Sequence, residues 1–391
     1  MIGYIGQISQ EEYDALSKEE QKEYSKTDTV GKSGLEQTLD SVLQGKKGEI
    51  KLYVNSVGKI IETVNEKEPK AGNDVYLTID ANLQKVAYHV IEQELAGILL
   101  LKIQNALDYD RSQVEDGNDV IIPIGDVYNS FIMNDILNMS HFEQPDAGAT
   151  EQEVLGIFTA RKAQVLEELA GILNDPNAAA YRDCPKERQA YLTYIVSDLL
   201  TNNTGILKAD AIDPNDDTYK AWKDDESINL YTYLTYAISK NWVDTSLLKE
   251  YVSTEGEYSD SNELYQGMIA YIIDYLNTHR SFDKLIYRYM IKSGAVTGRQ
   301  ICLMLYEQGV LPMDEGQYNG LNSGGIGAYD FIRGKIETLE ITPGQLALEP
   351  CTGSLVMTDT RTGEVLACVS YPGYDNNRLA NAMDSNYYNK L

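Results

Sequence analysis

The stretch GSLVMTDTRTGEVLACVSYPGY, residues 353–374, decides how this chain is read. Two apolar runs, 355–357 and 365–369, flank a polar turn at 359–363, where Gly363 has no Cβ to oppose a positive φ. The pattern predicts a β-hairpin. Both strands are apolar on both faces: Leu355 and Met357 alternate with Val356, and Leu366 and Cys368 alternate with Val365, Ala367 and Val369. A two-stranded hairpin cannot shelter two apolar faces, so these strands expect neighbours on either side. Few residues follow before Leu391, and the sequence reads as a piece of something longer.

Outward from the hairpin, KIETLEITPGQLALEP at 335–350 predicts a strand and then a helical turn begun by Pro343. At the other end, a short apolar strand precedes Ser9, and Glu12 three residues later gives capping-box spacing for a helix carrying Tyr13 and Leu16. A helix over 33–43 and a hairpin of 50–54 with 59–64 follow. Residues 74–80, DVYLTID, predict a strand, and 81–104 a helix with Leu83, Val86, Ala87, Val90, Ile91, Leu95 and Ile98 on its buried face. Between 105 and 335 the chain reads as mostly helical, with helices at 151–174, 186–203, 228–239, 261–278, 283–292 and 297–308. Polar breaks such as 209–219 and 252–263 separate them. No repeat of fixed period emerges, which favours a compact bundle over a solenoid.

Composition narrows the classes. The chain has 391 residues, 43% of them apolar, enough for two or three cores. Its formal net charge of −27, from 60 acidic and 33 basic residues, repels phosphate backbones and anionic headgroups, so nucleic acid is not a partner. The acidity suits a solvated surface or a face for a basic partner. Cys184, Cys302, Cys351 and Cys368 form no C-x-x-C, and only a suitable hairpin register could bridge the last two. There is no run of eighteen apolar residues and no basic leader before an apolar core, so the chain as given reads as soluble.

The run 349–381, EPCTGSLVMTDTRTGEVLACVSYPGYDNNRLAN, resembles the segment that opens the transpeptidase domain of class B penicillin-binding proteins, the monofunctional peptidoglycan D,D-transpeptidases, of a clostridia-like lineage. Gly3-Tyr4-Ile5-Gly6, the run 30–36 with Gly31, Gly34, Leu35 and Glu36, and the run 43–48 resemble the family's pedestal. Leu77, Thr78, Ile79, Asp80 and Gln84 resemble its linker strand and helix, and Thr362, Gly363, Glu364 and Pro372 its opening hairpin. The resemblance implies an α+β multidomain fragment. It has a pedestal of dimerisation type with its linker strand at 1–80 and a linker helix at 81–104. A helical insertion follows at 105–335, and the first antiparallel strands of the transpeptidase domain at 336–391.

The resemblance also implies acyl transfer by a serine with a lysine three residues later, then S-x-N and K-T-G motifs. On that basis the chain stops before its catalytic serine, and no catalytic, cofactor or metal residue is assigned. The parent protein would sit on the extracytoplasmic face of the plasma membrane, with peptidoglycan and other wall-synthesis or division proteins as partners. β-Lactams would act only through the missing region. The alternative is a helical scaffold module that docks wall-synthesis partners. The tyrosines at 191, 194, 231, 233, 236, 271, 275, 287 and 289 suit the edge of a core or a binding surface.

Other chemistry-bearing patterns read as coincidences of spacing. S-x-x-K occurs at Ser56/Lys59, Ser246/Lys249 and Ser281/Lys284, the first in a predicted turn and the others outside the family-like ends. Arg361-Thr362-Gly363 imitates K-T-G but reads as a turn. Gly31 to Gly34 lacks phosphate-loop spacing. Asp213, Asn215, Asp217 and Asp224 approach a calcium loop, yet Thr218 stands where the glycine is needed. His89, His141 and His279 are far apart, with His89 beside a buried helix face.

Overall fold

The computed structural model describes residues 2–114, 116–117, 120–252, 260–380 and 383–388; most of the break at 252–263 lies outside them. The architecture is mixed: paired antiparallel strands toward both ends and a large helical region between them. Contacts divide the chain into two compact units, Met1–Ile98 with Glu349–Leu391, and Leu99–Leu348. By contacts, residues 336–348, read from sequence with the start of the transpeptidase domain, group with the second unit.

In the first unit, β1 (Ile5–Gln7) pairs antiparallel with β2 (Thr29–Gly31). Ser9 opens α1 (Gln10–Ala15) with the capping box its spacing predicts. The Glu12 amide donates to Ser9 Oγ at 3.1 Å and the Ser9 amide to Glu12 Oε2 at 2.7 Å. The helix predicted at 33–43 is broken at Leu39 into α2 (Gly34–Thr38) and α3 (Asp40–Leu43). β3 (Glu49–Val54) and β4 (Ile60–Lys67) make the predicted hairpin, and Asn55 Oδ1 holds its turn by accepting from the Val57 and Lys59 amides. Every residue of β3 is exposed.

The strand predicted at 74–80 does not form; that segment is irregular up to α4 (Ala81–Lys102). On α4 the buried line in this unit is Ala87, Leu95 and Ala96, whereas Val86, Val90 and Ile98 are exposed. The helix carries apolar side chains around more than one stripe, and periodicity alone does not say which stripe is covered. The final hairpin is β5 (Gly353–Thr358) with β6 (Val365–Tyr371), in register Leu355 to Val369 and Val356 to Cys368. One face is sheltered: Ala367, Val369 and Tyr371 are buried, and the Tyr371 ring lies 5.1 Å from that of Tyr88 on α4. Val356 and Met357 stay exposed. That register sets Cys368 opposite Val356, and all four cysteines are free.

The second unit is built around α6 (Ala149–Asn174), after α5 (Ile124–Met133). Then come α7 (Lys186–Thr193), continued by a π-helix at Tyr194–Asn203, α8 (Asp217–Lys223), α9 (Leu230–Ser239) and α10 (Ser261–Thr278). α11 (Arg280–Lys292), α12 (Gly298–Glu307), α13 (Glu315–Ser323), α14 (Ala328–Glu337) and the turn α15 (Pro343–Leu346) complete it. α6 packs on α9, α10, α11 and α12 through Val154, Phe158, Val165, Leu169 and Leu173. Tyr191, Tyr194, Tyr233, Tyr265 and Tyr287 are buried in this core rather than set at its edge.

Two sequence readings change here. The strand predicted from Lys335 is the end of α14, because Ile336, Thr338 and Glu340 imitate strand alternation while Lys335 and Ile336 are buried on a helix. A repeat of fixed period also exists. Left-handed residues end successive helices at Gly294, Gly309, Gly324 and Leu339, each 15 positions after the last. Two residues beyond each, an apolar residue sends its amide back to the helix: Val296 to Met290 O, Leu311 to Leu305 O, Ile326 to Gly320 O and Ile341 to Lys335 O, at 2.9 to 3.1 Å. α5 ends likewise, with Asp135 left-handed and Leu137 bonded to Phe131 O at 2.8 Å. The period lives in backbone geometry and in few side chains, so it is faint in sequence.

Candidate functional site

The sequence motifs separate by physical role. The pedestal glycines serve close backbone approach. A Cβ on Gly31 would lie 2.1 Å from the Glu36 carbonyl carbon and oxygen, and the Gly31 amide donates to Asp40 Oδ1 at 2.8 Å. Gly34 starts α2 at φ 60°, Leu35 accepts the Leu39 amide, and the Glu36 amide reaches Ile2 O. β1, β2 and α2 are thereby locked by main chain rather than by a large core.

The linker motif and the final hairpin are brought together. Thr78 Oγ1 donates to Val365 O at 2.6 Å and the Asp80 amide to Leu366 O at 2.9 Å. Gln84 grips β6 with both ends of its amide: Nε2 donates to Cys368 O at 2.6 Å, and Oε1 accepts from the Cys368 amide at 2.8 Å. A side-chain amide thus stands in for a neighbouring strand and satisfies backbone groups that an unpaired strand leaves open. Asp80 Oδ1 also accepts from the Asn82 and Leu83 amides, capping α4. Leu77 is exposed and Ile79 half-buried, and neither joins the clamp.

Thr362, Gly363 and Glu364 form the hairpin turn. Asp359 Oδ1 accepts from the Arg361 amide at 2.7 Å and the Thr362 amide at 3.2 Å, which holds its carboxyl below the usual range. Gly363 has φ 77°, and Thr362 Oγ1 donates to Glu364 Oε2 at 3.0 Å. Pro372 follows β6 beside Gly373, whose amide lies 3.4 Å from Tyr88 Oη.

The serine–lysine pairs lack the geometry of an activated nucleophile. Lys284 Nζ donates to Met133 O and Asp135 Oδ2, both at 2.9 Å, so it is engaged there rather than with Ser281. Ser56 and Lys59 flank the exposed β3–β4 turn, and the Ser246 amide caps onto Asp244. The calcium-like spacing is interrupted by α8, which Asp217 opens, while Asp213 Oδ1 accepts the Asn215 amide. Among the described residues, no group of three or more His, Cys, Asp or Glu could hold a metal ion. His89 is exposed, not at a core edge, and faces Glu92 at 3.8 Å. His279 Nδ1 meets Tyr194 Oη at 2.9 Å.

Sequence reasoning misses one buried polar cluster. Glu151, fully buried at the start of α6, is held by His141 Nδ1 at 2.9 Å, the Gly148 amide at 2.7 Å and Gln308 Nε2 at 2.6 Å. The hydrogen bond to Glu151 pushes the His141 imidazole pKa up. Glu307 Oε1 accepts from Thr150 Oγ1 at 2.6 Å and Tyr318 Oη at 2.9 Å, setting a carboxylate at the positive end of α6. Only the acidic residue in the first turn of α6, Glu151, hints at it in sequence.

Comparisons with known proteins match parts of the chain. Residues 1–77 match the penicillin-binding protein dimerisation domain. The chain is homologous to peptidoglycan D,D-transpeptidases. It is 36% identical over 98 residues to the peptidoglycan D,D-transpeptidase MrdA of Escherichia coli K12, a match covering 25% of this chain and 15% of that protein. It is 44% identical over 72 residues to penicillin-binding protein 2A of Bacillus subtilis, covering 18% and 10%. Against MrdA of Acinetobacter baumannii it is 34% identical over 97 residues, covering 25% and 13%. The matches thus span less than a fifth of each relative. No solved structure matches. Among the described residues, no helix is long and apolar enough to cross a membrane.

Proposed function

We propose that this chain is the non-catalytic portion of a membrane-anchored peptidoglycan D,D-transpeptidase, a β-lactam target that cross-links stem peptides. Residues 1–80 supply the pedestal and linker, a helical insertion follows, and the final hairpin begins the transpeptidase domain. The nucleophilic serine belongs to a part of the parent protein outside these residues. The observation that carries this reading is the clamp of Thr78, Asp80 and Gln84 on β6, which joins two family-like segments 284 to 287 positions apart in one compact unit. The exposed apolar side chains of β5, Val356 on one face and Met357 on the other, suit further packing partners of such a domain. Sequencing the gene beyond the Leu391 codon tests it: S-x-x-K, S-x-N and K-T-G in that order support the reading, and an open frame without them sinks it.

A second reading, a helical module that docks other wall-synthesis or division proteins, is favoured by the separate core of Leu99–Leu348, which the clamp does not require. Pull-down of wall-synthesis proteins by the whole chain, lost when surface residues of that unit are changed, distinguishes it.

A further inference from the structure

The β3–β4 hairpin leaves open more apolar surface than any of the motifs explains. Toward its turn, Leu52, Tyr53, Val54, Val57, Ile60 and Ile61 are 44 to 83% exposed. Contiguous apolar side chains of this kind mark a surface that something covers.

The shape of the ribbon restricts what covers it. Leu52 and Val54 share one face of β3, and Tyr53 lies on the other. Ile61 is the extra residue of a bulge, between the pairs Tyr53 with Glu62 and Val54 with Ile60, and Val57 stands in the turn. Apolar side chains therefore surround the ribbon near its tip. A flat protein surface covers one face of such a ribbon, whereas immersion in a fluid apolar layer covers all of it.

The turn suits a medium that supplies few hydrogen bonds. The Asn55 amide donates to Lys59 O and the Gly58 amide to Asn55 O, both at 3.0 Å. Asn55 Oδ1 accepts the Val57 amide at 3.1 Å and the Lys59 amide at 2.9 Å. Four of the five amides between Asn55 and Lys59 thus need no water. Farther from the turn, the outer edges of this two-stranded sheet do need it. Entry is therefore limited to the headgroup boundary, about 5–10 Å deep.

Charge agrees with that placement. Residues 52–61, LYVNSVGKII, carry a single charge, Lys59, in a chain with 60 acidic residues. The first carboxylate back from the turn is Glu62, opposite Tyr53, and Lys51 leans away to Glu49 at 3.4 Å. The Lys59 stem can lie along the apolar tip while its ammonium stays among phosphate groups, and Tyr53 suits the same boundary. The net charge of −27 opposes approach to an anionic surface, but physiological salt cuts its reach to about 8 Å, and the lysine is what lies at contact. A second copy would set −27 against −27, which favours lipid over self-association.

We infer that the tip of the β3–β4 hairpin inserts into the headgroup layer of a phospholipid membrane, with Val54, Val57, Ile60 and Ile61 against the upper acyl carbons and Lys59 at the phosphates.

Sedimentation of the whole chain with vesicles of phosphatidylcholine and phosphatidylglycerol at physiological salt tests it. The chain should pellet with the vesicles, and Val57→Asp should lower its partition about tenfold. Val57 is 83% exposed, so this substitution spares the fold, which an unchanged circular dichroism spectrum checks. Lys59→Glu should weaken binding more on this mixture than on phosphatidylcholine alone. Val57→Trp should show fluorescence quenching beyond that of the unsubstituted chain with lipids brominated near the headgroup, and none with lipids brominated near the chain ends. No pelleting, indifference to Val57→Asp, or no added quenching would overturn the proposal. So would dimerisation of the lipid-free chain that Val57→Asp abolishes, without vesicle binding, because a second copy would then cover the tip.

Discussion

The β3–β4 hairpin of the first unit and the helical unit treat their apolar side chains in opposite ways. Ile50, Tyr53, Val57, Ile60 and Ile61 of the hairpin are all more than half exposed, whereas Phe131, Phe282, Ile301 and Leu321 of the helices are wholly buried. The helical unit closes on itself around α6 and has the side-chain core of a self-sufficient fold. The first unit is held instead by backbone close approaches at Gly31 and by the polar clamp on β6. A region stabilised by hydrogen bonds while its apolar strands face solvent has the composition of an interface, not of a finished core.

The contrast is broken most forcefully in the core. Phe282 packs against Tyr191 and Tyr194 with ring centroids 5.4 Å apart in each case. Phe282→Ala should lower the stability of the helical unit by about 3–5 kcal/mol in urea unfolding, while Ile60→Ala on the exposed hairpin should stay within about 0.5 kcal/mol. Comparable losses would mean that the hairpin is covered after all.

The clamp gives the next effect. Gln84→Ala leaves the Cys368 amide and carbonyl without their partner, so the first unit should lose about 1–3 kcal/mol and β6 amides should exchange faster with deuterium. Unchanged exchange at Cys368 would remove the clamp from the account.

A smaller change sharpens the repeat. Gly309 sits at φ 67° with nothing within 4 Å of an added Cβ, so Gly309→Ala should cost about 1 kcal/mol from backbone strain alone. The smallest effect is with pH. Glu151 raises the His141 pKa in the folded state, so the pair's contribution is complete below the unfolded value of about 6.5 and is lost as pH rises through the raised one. The melting temperature of the helical unit should fall across that window, and His141→Gln should flatten the decline.

Much of this was legible in the sequence where local chemistry decides it. Ser9 and Glu12 predict a capping box that forms, Gly363 predicts the turn, and the helix predicted at 151–174 forms as α6. What escaped depends on distant partners. Leu77 to Asp80 has strand composition, yet that segment reaches β6 only through one hydroxyl and one amide, so no ladder forms. The partner of Gln84 lies 284 positions away, beyond any local pattern. The 15-residue recurrence hides because Leu339 occupies a place that glycine fills in the three preceding turns, and because Gly320 and Lys335 stand where Met290 and Leu305 are apolar.

Intact-mass spectrometry after incubation with a penicillin tests the central claim most directly, run on this chain and on the product of the whole gene. The account predicts a covalent penicilloyl adduct on the whole product and none on these 391 residues. An adduct on this chain, or none on either protein, would contradict it.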